Sequence, residues 1–149
     1  MKVLILQTGE PLHIDDDNFR PMRTINLSNA LSDRGHIIDI WSSSFYHQKK
    51  LHRSKKFKSI NFSNSIRINL IPSLGYSNNI SIKRILDHIN LAFNFSLNLL
   101  FKPQRRPDII FIGYPPIETA LILIIWSKFL RIPTIIDVKD MWPQIFLEP

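Results

Sequence analysis

The fold is decided at the start of the chain, by Lys2-Val3-Leu4-Ile5-Leu6-Gln7 and the segment after it, Thr8-Gly9-Glu10-Pro11-Leu12-His13-Ile14-Asp15-Asp16-Asp17-Asn18-Phe19-Arg20-Pro21-Met22-Arg23. An unbroken apolar run lacks the alternation of a half-solvated strand, so it reads as a strand covered on both faces, as in a parallel sheet. It opens into a loop rich in carboxylates, with a histidine and arginines, and Pro21 suits the first turn of a helix. Open α/β sheets bind ligands in loops at the carboxyl ends of their strands. This polar loop is the first candidate site.

Further apolar runs at 36–41, 66–71, 108–113 and 133–138 are expected strands, each separated by helical or polar sequence. The helix from Pro21 carries Leu27, Ala30 and Leu31 at helical spacing, and Gly35 stands where a left-handed terminal residue is wanted. Residues 80–101 predict a helix with Ile82, Ile85, Leu86, Ile89, Phe93, Leu97 and Leu100 on its core side. Asn90, Asn94 and Asn98 then form a polar stripe opposite. Residues 116–130 are apolar nearly all round, as in a helix buried within a layer. The alternation predicts an α/β, Rossmann-like, doubly wound parallel sheet of about five strands in the order 3-2-1-4-5, with helices on both faces. All 149 residues are expected to form one domain.

With no cysteine, disulfides and thiolate metal sites are excluded, and a reducing, cytoplasmic setting is expected. The N-terminal apolar run is too short for a secretory signal. Residues 119–130 fall short of the roughly 18–20 needed to span a bilayer, and 80–101 contain Lys83, Arg84, Asp87 and His88. The net charge is +7, and Lys49, Lys50, Arg53, Lys55, Lys56 and Lys58 cluster between residues 42 and 65 without an acidic neighbour. Such a stretch is either a solvated loop or a surface for phosphates, in lipid headgroups or a nucleic-acid backbone. Only Phe45, Tyr46 and Phe57 interleave with it and no nucleic-acid motif appears, so nucleic acid is not an expected partner. A nicotinamide site would need three spaced glycines after the first strand, where only Gly9 occurs.

Four stretches carry a resemblance. Gly9-Glu10-Pro11 through Asp15-Asp16 to Asn18-Phe19-Arg20-Pro21-Met22-Arg23 is the first, and Arg34-Gly35-His36 the second. Tyr114-Pro115-Pro116-Ile117-Glu118-Thr119 and Asp137-Val138-Lys139-Asp140-Met141-Trp142-Pro143 complete the set. Together, in this order and over essentially the whole chain, they resemble the N-terminal half of family 4 retaining glycosyltransferases. More narrowly, they are similar to bacterial O-antigen and capsule enzymes that transfer N-acetylated deoxyhexosamines such as N-acetylfucosamine. The resemblance implies one half of a two-domain GT-B architecture, with the nucleotide-sugar donor held by a C-terminal domain absent from this sequence. It implies a polyprenyl-diphosphate-linked saccharide as acceptor and peripheral contact with the inner face of the plasma membrane; no cofactor and no metal are expected. The ending, rich in Trp142, Ile145, Phe146 and Leu147, reads as a chain cut where it continues. The isolated piece is then expected to be inactive and to expose an apolar patch near Trp142 and Phe146.

Against that background the candidate residues acquire roles. The Gly9 amide either approaches a phosphate or simply makes a turn, and Glu10 stands where related enzymes often carry a second glycine. Arg20 and Arg23 either grip phosphate oxygens or neutralise Asp15, Asp16 and Asp17. His13 orients or deprotonates an acceptor hydroxyl, or is a solvated loop histidine. Of Asp137 and Asp140, one accepts a hydrogen bond from a sugar hydroxyl while the other caps the following turn. Tyr114, stiffened by Pro115 and Pro116, either stacks on a sugar face or packs on the next helix. Glu118 in that helix's first turn is favoured by the dipole alone.

Overall fold

The computed structural model describes residues 1–15, 20–101 and 106–139. In chain order the elements are β1 (Lys2–Leu6), α1 (Arg23–Asp33), β2 (Ile37–Ser43), β3 (Phe45–Tyr46), β4 (Leu51–His52), β5 (Lys58–Asn61), β6 (Ile66–Ile71), α2 (Ile82–Phe101), β7 (Ile109–Tyr114), α3 (Ile117–Phe129) and β8 (Thr134–Val138). The main sheet has six strands in the order β5-β6-β2-β1-β7-β8, and β3 and β4 form a separate two-stranded ladder. Every pairing in the main sheet is parallel except β5 with β6. The fold is therefore α/β, with a mostly parallel sheet and three helices, compatible with a Rossmann-like arrangement.

The expected count of about five strands in the order 3-2-1-4-5 is corrected to these six. The additional strand, β5, comes from the basic segment read as loop. Three of its four residues, Lys58, Ser59 and Asn61, are exposed, so it carries no apolar run to announce it. What folds it back is local: Ser63 Oγ accepts the Ile66 amide at 3.0 Å, and the Phe62 amide reaches Ile66 O at 3.0 Å. A polar strand bearing a lysine is also a sound way to end a sheet, because it discourages pairing with another chain.

Alternation along the parallel strands sends side chains to two cores. On one face Leu4, Leu6, Trp41, Ile71, Ile110 and Ile112 pack with Leu91, Phe95 and Leu99 of α2 and with Ala120 and Leu123 of α3. The Trp41 ring meets Phe95 edge-on at 5.5 Å. On the other face Val3, Ile5, Ile38, Ile40, Ile66, Ile68 and Leu70 bury Leu12 and pack against Leu27 and Leu31 of α1. With helices on both faces, the apolar runs of the inner strands need no polar side, whereas edge strand β8 leaves Ile135, Ile136 and Val138 exposed. The end of α1 follows from Gly35: at φ +76° it lets its own N–H bond Ser32 O at 2.9 Å and the His36 N–H bond Leu31 O at 3.1 Å, satisfying two terminal carbonyls.

The orientation expected for α2 is overturned. Ile82, Ile85, Leu86, Ile89, Phe93 and Leu100 are exposed, and the helix buries Asp87, Leu91, Ala92, Phe95 and Leu99. The asparagine stripe lies along the edge of the packed face, where Asn94 Nδ2 donates to Pro72 O at 2.9 Å and to Asn90 Oδ1 at 3.1 Å. The helix is apolar around most of its circumference, so a polar stripe does not single out the side opposite the core. Phe95, Leu91 and Leu99 fill the core instead, and Asn94 meets the Pro72 carbonyl beside them. Helix α3, expected to be buried within a layer, likewise leaves Ile117, Leu121, Ile125 and Phe129 exposed. Among the described residues no helix is long and apolar enough to cross a membrane.

Candidate functional site

A cleft of about 230 Å³ opens where β1, β2, β7 and β8 release their chains. Gln7 to Glu10 form its floor, with Pro115, Pro116 and Lys139 on one side and His47, Tyr76, Arg84 and His88 on the other. It lies at the carboxyl ends of the parallel strands, the position the first strand predicts.

The floor is organised by Glu10, only 3 % exposed. Its carboxylate accepts the Thr24 amide at 2.9 Å and the Thr24 hydroxyl at 2.7 Å, and it pairs with the Lys139 ammonium. Burial alone would raise its pKa, but Lys139 and then Thr24 outweigh that and hold it below the usual carboxylate value. Nearby, Arg23 donates to Asp137 Oδ1 at 2.6 Å. These two pairs fasten the loop after β1 and the start of α1 to the end of β8. Gln7 lies across the strand ends: its Oε1 accepts the Thr8 amide at 2.8 Å and the Gly9 amide at 3.3 Å. It fits because residue 113 is glycine, where a Cβ would stand 2.5 Å from Gln7 Nε2.

The expected site residues are only partly brought together. Gly9 lines the cleft, but its N–H turns toward Gln7, and a Cβ there would meet nothing within 4 Å. Asp15 is held away, in a buried pair with Arg53 at 2.6 Å, and also accepts the Leu12 amide at 2.7 Å. His13 sits beside α1, its Nε2 2.9 Å from Asn29 Oδ1 and 3.3 Å from Ser28 Oγ, its ring 4.6 Å from that of Phe62. Burial lowers its pKa, partly countered by Asn29. Arg23 and Asp137 meet each other, and Arg20 is exposed. Tyr114 is half-buried against the α3-side core, and it is Pro115 and Pro116 that reach the cleft. Asp16 and Asp140, like Asp17, Trp142 and Phe146, lie outside the described residues.

The opposite wall was not legible in the sequence. Tyr76 is its centre: its ring packs 5.1 Å from Phe45, and its hydroxyl lies 2.6 Å from His47 Nδ1. Asp87 reaches back to accept the Gly75 amide at 2.7 Å. Gly75 is required there, since it has φ +78° and a Cβ would stand 2.8 Å from His52 and 2.9 Å from Phe45. His88 Nδ1 is 3.7 Å from Glu118 Oε2, which gives Glu118 a partner beyond the helix dipole. Burial lowers the His88 pKa; Glu118 and Asp87 oppose this and Arg84 adds to it. Lys50 and Arg53, counted in the basic stretch, are both turned inward, Lys50 over the Tyr76 ring and Arg53 over the Tyr46 ring at 4.5 Å each. Glu10 and Lys139 stood inside the stretches quoted above without a role. Tyr76, Arg84 and His88 are spread through a polar loop and a helix with no spacing to flag them. No protein-family model and no curated protein matches the chain.

Proposed function

We propose that this chain is the acceptor-side half of a GT-B retaining glycosyltransferase, moving a sugar from a nucleotide-sugar donor to a polyprenyl-diphosphate-linked saccharide of a bacterial surface polysaccharide. The observation that supports it best is the bracing of the cleft: Glu10 with Lys139 and Arg23 with Asp137 join two stretches of the resemblance that lie more than a hundred residues apart. Both contribute to one wall at the carboxyl ends of parallel strands. Retaining transfer must stabilise a departing diphosphate and a developing oxocarbenium charge, and in this reading a donor half supplies those contacts. The task left to this half is to hold an acceptor hydroxyl. His88, in the cleft beside Glu118, takes that role in place of His13, whose ring nitrogen is occupied at α1. The exposed apolar side of α2, with Lys83 among it, suits peripheral contact with an anionic leaflet.

Titrating the chain with a short-chain polyprenyl diphosphate N-acetylhexosamine, followed by NMR, tests this. Saturable binding that shifts the His88 ring resonances is expected, with a weaker affinity in His88→Ala read from the ligand's phosphorus resonances and little response to the nucleotide sugar alone. Absence of saturable binding to the lipid-linked sugar refutes the reading. A second reading, a non-catalytic Rossmann-like domain with a basic surface for nucleic acid or other anionic ligands, is favoured by exposed Lys49, Lys55, Lys56 and Lys58. Salt-dependent oligonucleotide binding without binding of the lipid-linked sugar would select it.

A further inference from the structure

We propose that His47, Lys50 and Arg84, grouped around Tyr76, form a phosphoryl-binding subsite at the edge of the cleft, which His47, Tyr76 and Arg84 line. The Lys50 ammonium stands 4.5 Å from the centre of the Tyr76 ring and the Arg84 guanidinium carbon 5.7 Å from it. Two cations thus lie against one aromatic ring. Among the described residues neither has a carboxylate within ion-pair distance: Lys50 donates to Asn79 Oδ1 at 2.6 Å and Arg84 to Asn79 O at 2.8 Å, both neutral acceptors. The carboxylates close by have other partners, since Asp87 takes the Gly75 amide and Glu118 faces His88. Lys50 also holds a left-handed backbone at φ +53°, uncommon for a residue with a Cβ, and such outliers concentrate at working sites.

His47 braces the Lys50 cation. Its Nδ1 lies 3.2 Å from the Lys50 ammonium. An ammonium has only hydrogens to give, so Nδ1 accepts and this contact holds Lys50 in place beside the ring. Burial, then Lys50, Arg84 and His88, lower the pKa of this ring. Burial and Arg84 likewise lower that of Lys50. A phosphoryl dianion would relieve the crowding of positive charge and give both cations a charged acceptor. The subsite stands on this local geometry alone. Only its assignment to the diphosphate of a lipid-linked sugar rests on the proposed function.

The test titrates the chain with pyrophosphate and with inorganic phosphate, following the histidine ring protons and phosphorus resonances by NMR. Saturable pyrophosphate binding is expected, with a rise in the apparent pKa of His47. Binding should weaken about tenfold or more in Arg84→Gln and in Lys50→Gln, tested separately with thermal melts to confirm folding. No saturable binding, or equal affinity in two folded variants, overturns the proposal. Attachment to phosphatidic-acid vesicles without pyrophosphate binding also overturns it, in favour of attraction to a charged surface. Pyrophosphate binding without binding of the lipid-linked sugar upholds the subsite and removes the glycosyltransferase reading.

Discussion

Asp15 and Arg23 show how differently two acid–base pairs from one loop behave. Asp15 and Arg53 form an ion pair whose side chains are 5 % and 6 % exposed. Asp15→Asn leaves a buried guanidinium without its counter-charge, and a loss of about 3 kcal/mol in urea unfolding is expected. Arg23, with its side chain 60 % exposed, pairs with Asp137, whose side chain is 18 % exposed; with one partner in solvent, Arg23→Ala should cost clearly less. If the two substitutions cost the same, this assignment of burial is wrong. Glycines divide in the same way. Gly75→Ala meets both a left-handed backbone and the Phe45 and His52 side chains, so it should destabilise by about 1 kcal/mol or more, whereas Gly9→Ala has open space and should be close to neutral. The sequence shows that Asp15, Arg53, Gly9 and Gly75 exist; it does not show which of the like residues becomes enclosed.

At the scale of elements, the strands were the most legible part, because a strand covered on both faces must be apolar throughout. Ile66–Ile71 was read with its observed bounds, and β1, β2, β7 and β8 to within two residues at either end. Strand β5 escaped because an edge strand facing solvent carries no such mark. The rotation of α2 escaped because a helix apolar on most sides has several acceptable faces. Substitutions check that rotation: Phe95→Ala should cost about 3–5 kcal/mol, while Ile85→Gln and Ile89→Gln should each stay within about 0.5 kcal/mol. Chemical denaturation of the three variants decides it; a large loss at Ile85 or Ile89 would return that face to the core.

Across the molecule Glu10 and three histidines share a direction. Glu10 is held below its ordinary 4.5, and His13, His47 and His88 below 6.5. In each case the folded chain binds its proton more weakly than the unfolded one, so stability rises with pH. For the histidines, stability declines as pH falls through 6.5 and levels off below their folded values. The Glu10 contribution is present above 4.5 and is lost as pH falls through that value and past its folded one. Urea midpoints are expected to fall from pH 7 to pH 5.5 and again below pH 4.5; a midpoint that rises on acidification would contradict this account.

The amino-acid sequence by itself determined the layers: apolar runs at their spacing leave little choice but a largely parallel sheet under helices, with a polar loop after Gln7 at the carboxyl ends of its strands. That much follows from local periodicity and the need to bury apolar surface. Only the tertiary structure decided the chemistry of the cleft. Glu10 meets Lys139 across nearly the whole chain, and Tyr76 gathers His47, Lys50 and Arg84 from separate segments, because ion pairs and ring contacts depend on distance in space, which no spacing along the chain encodes.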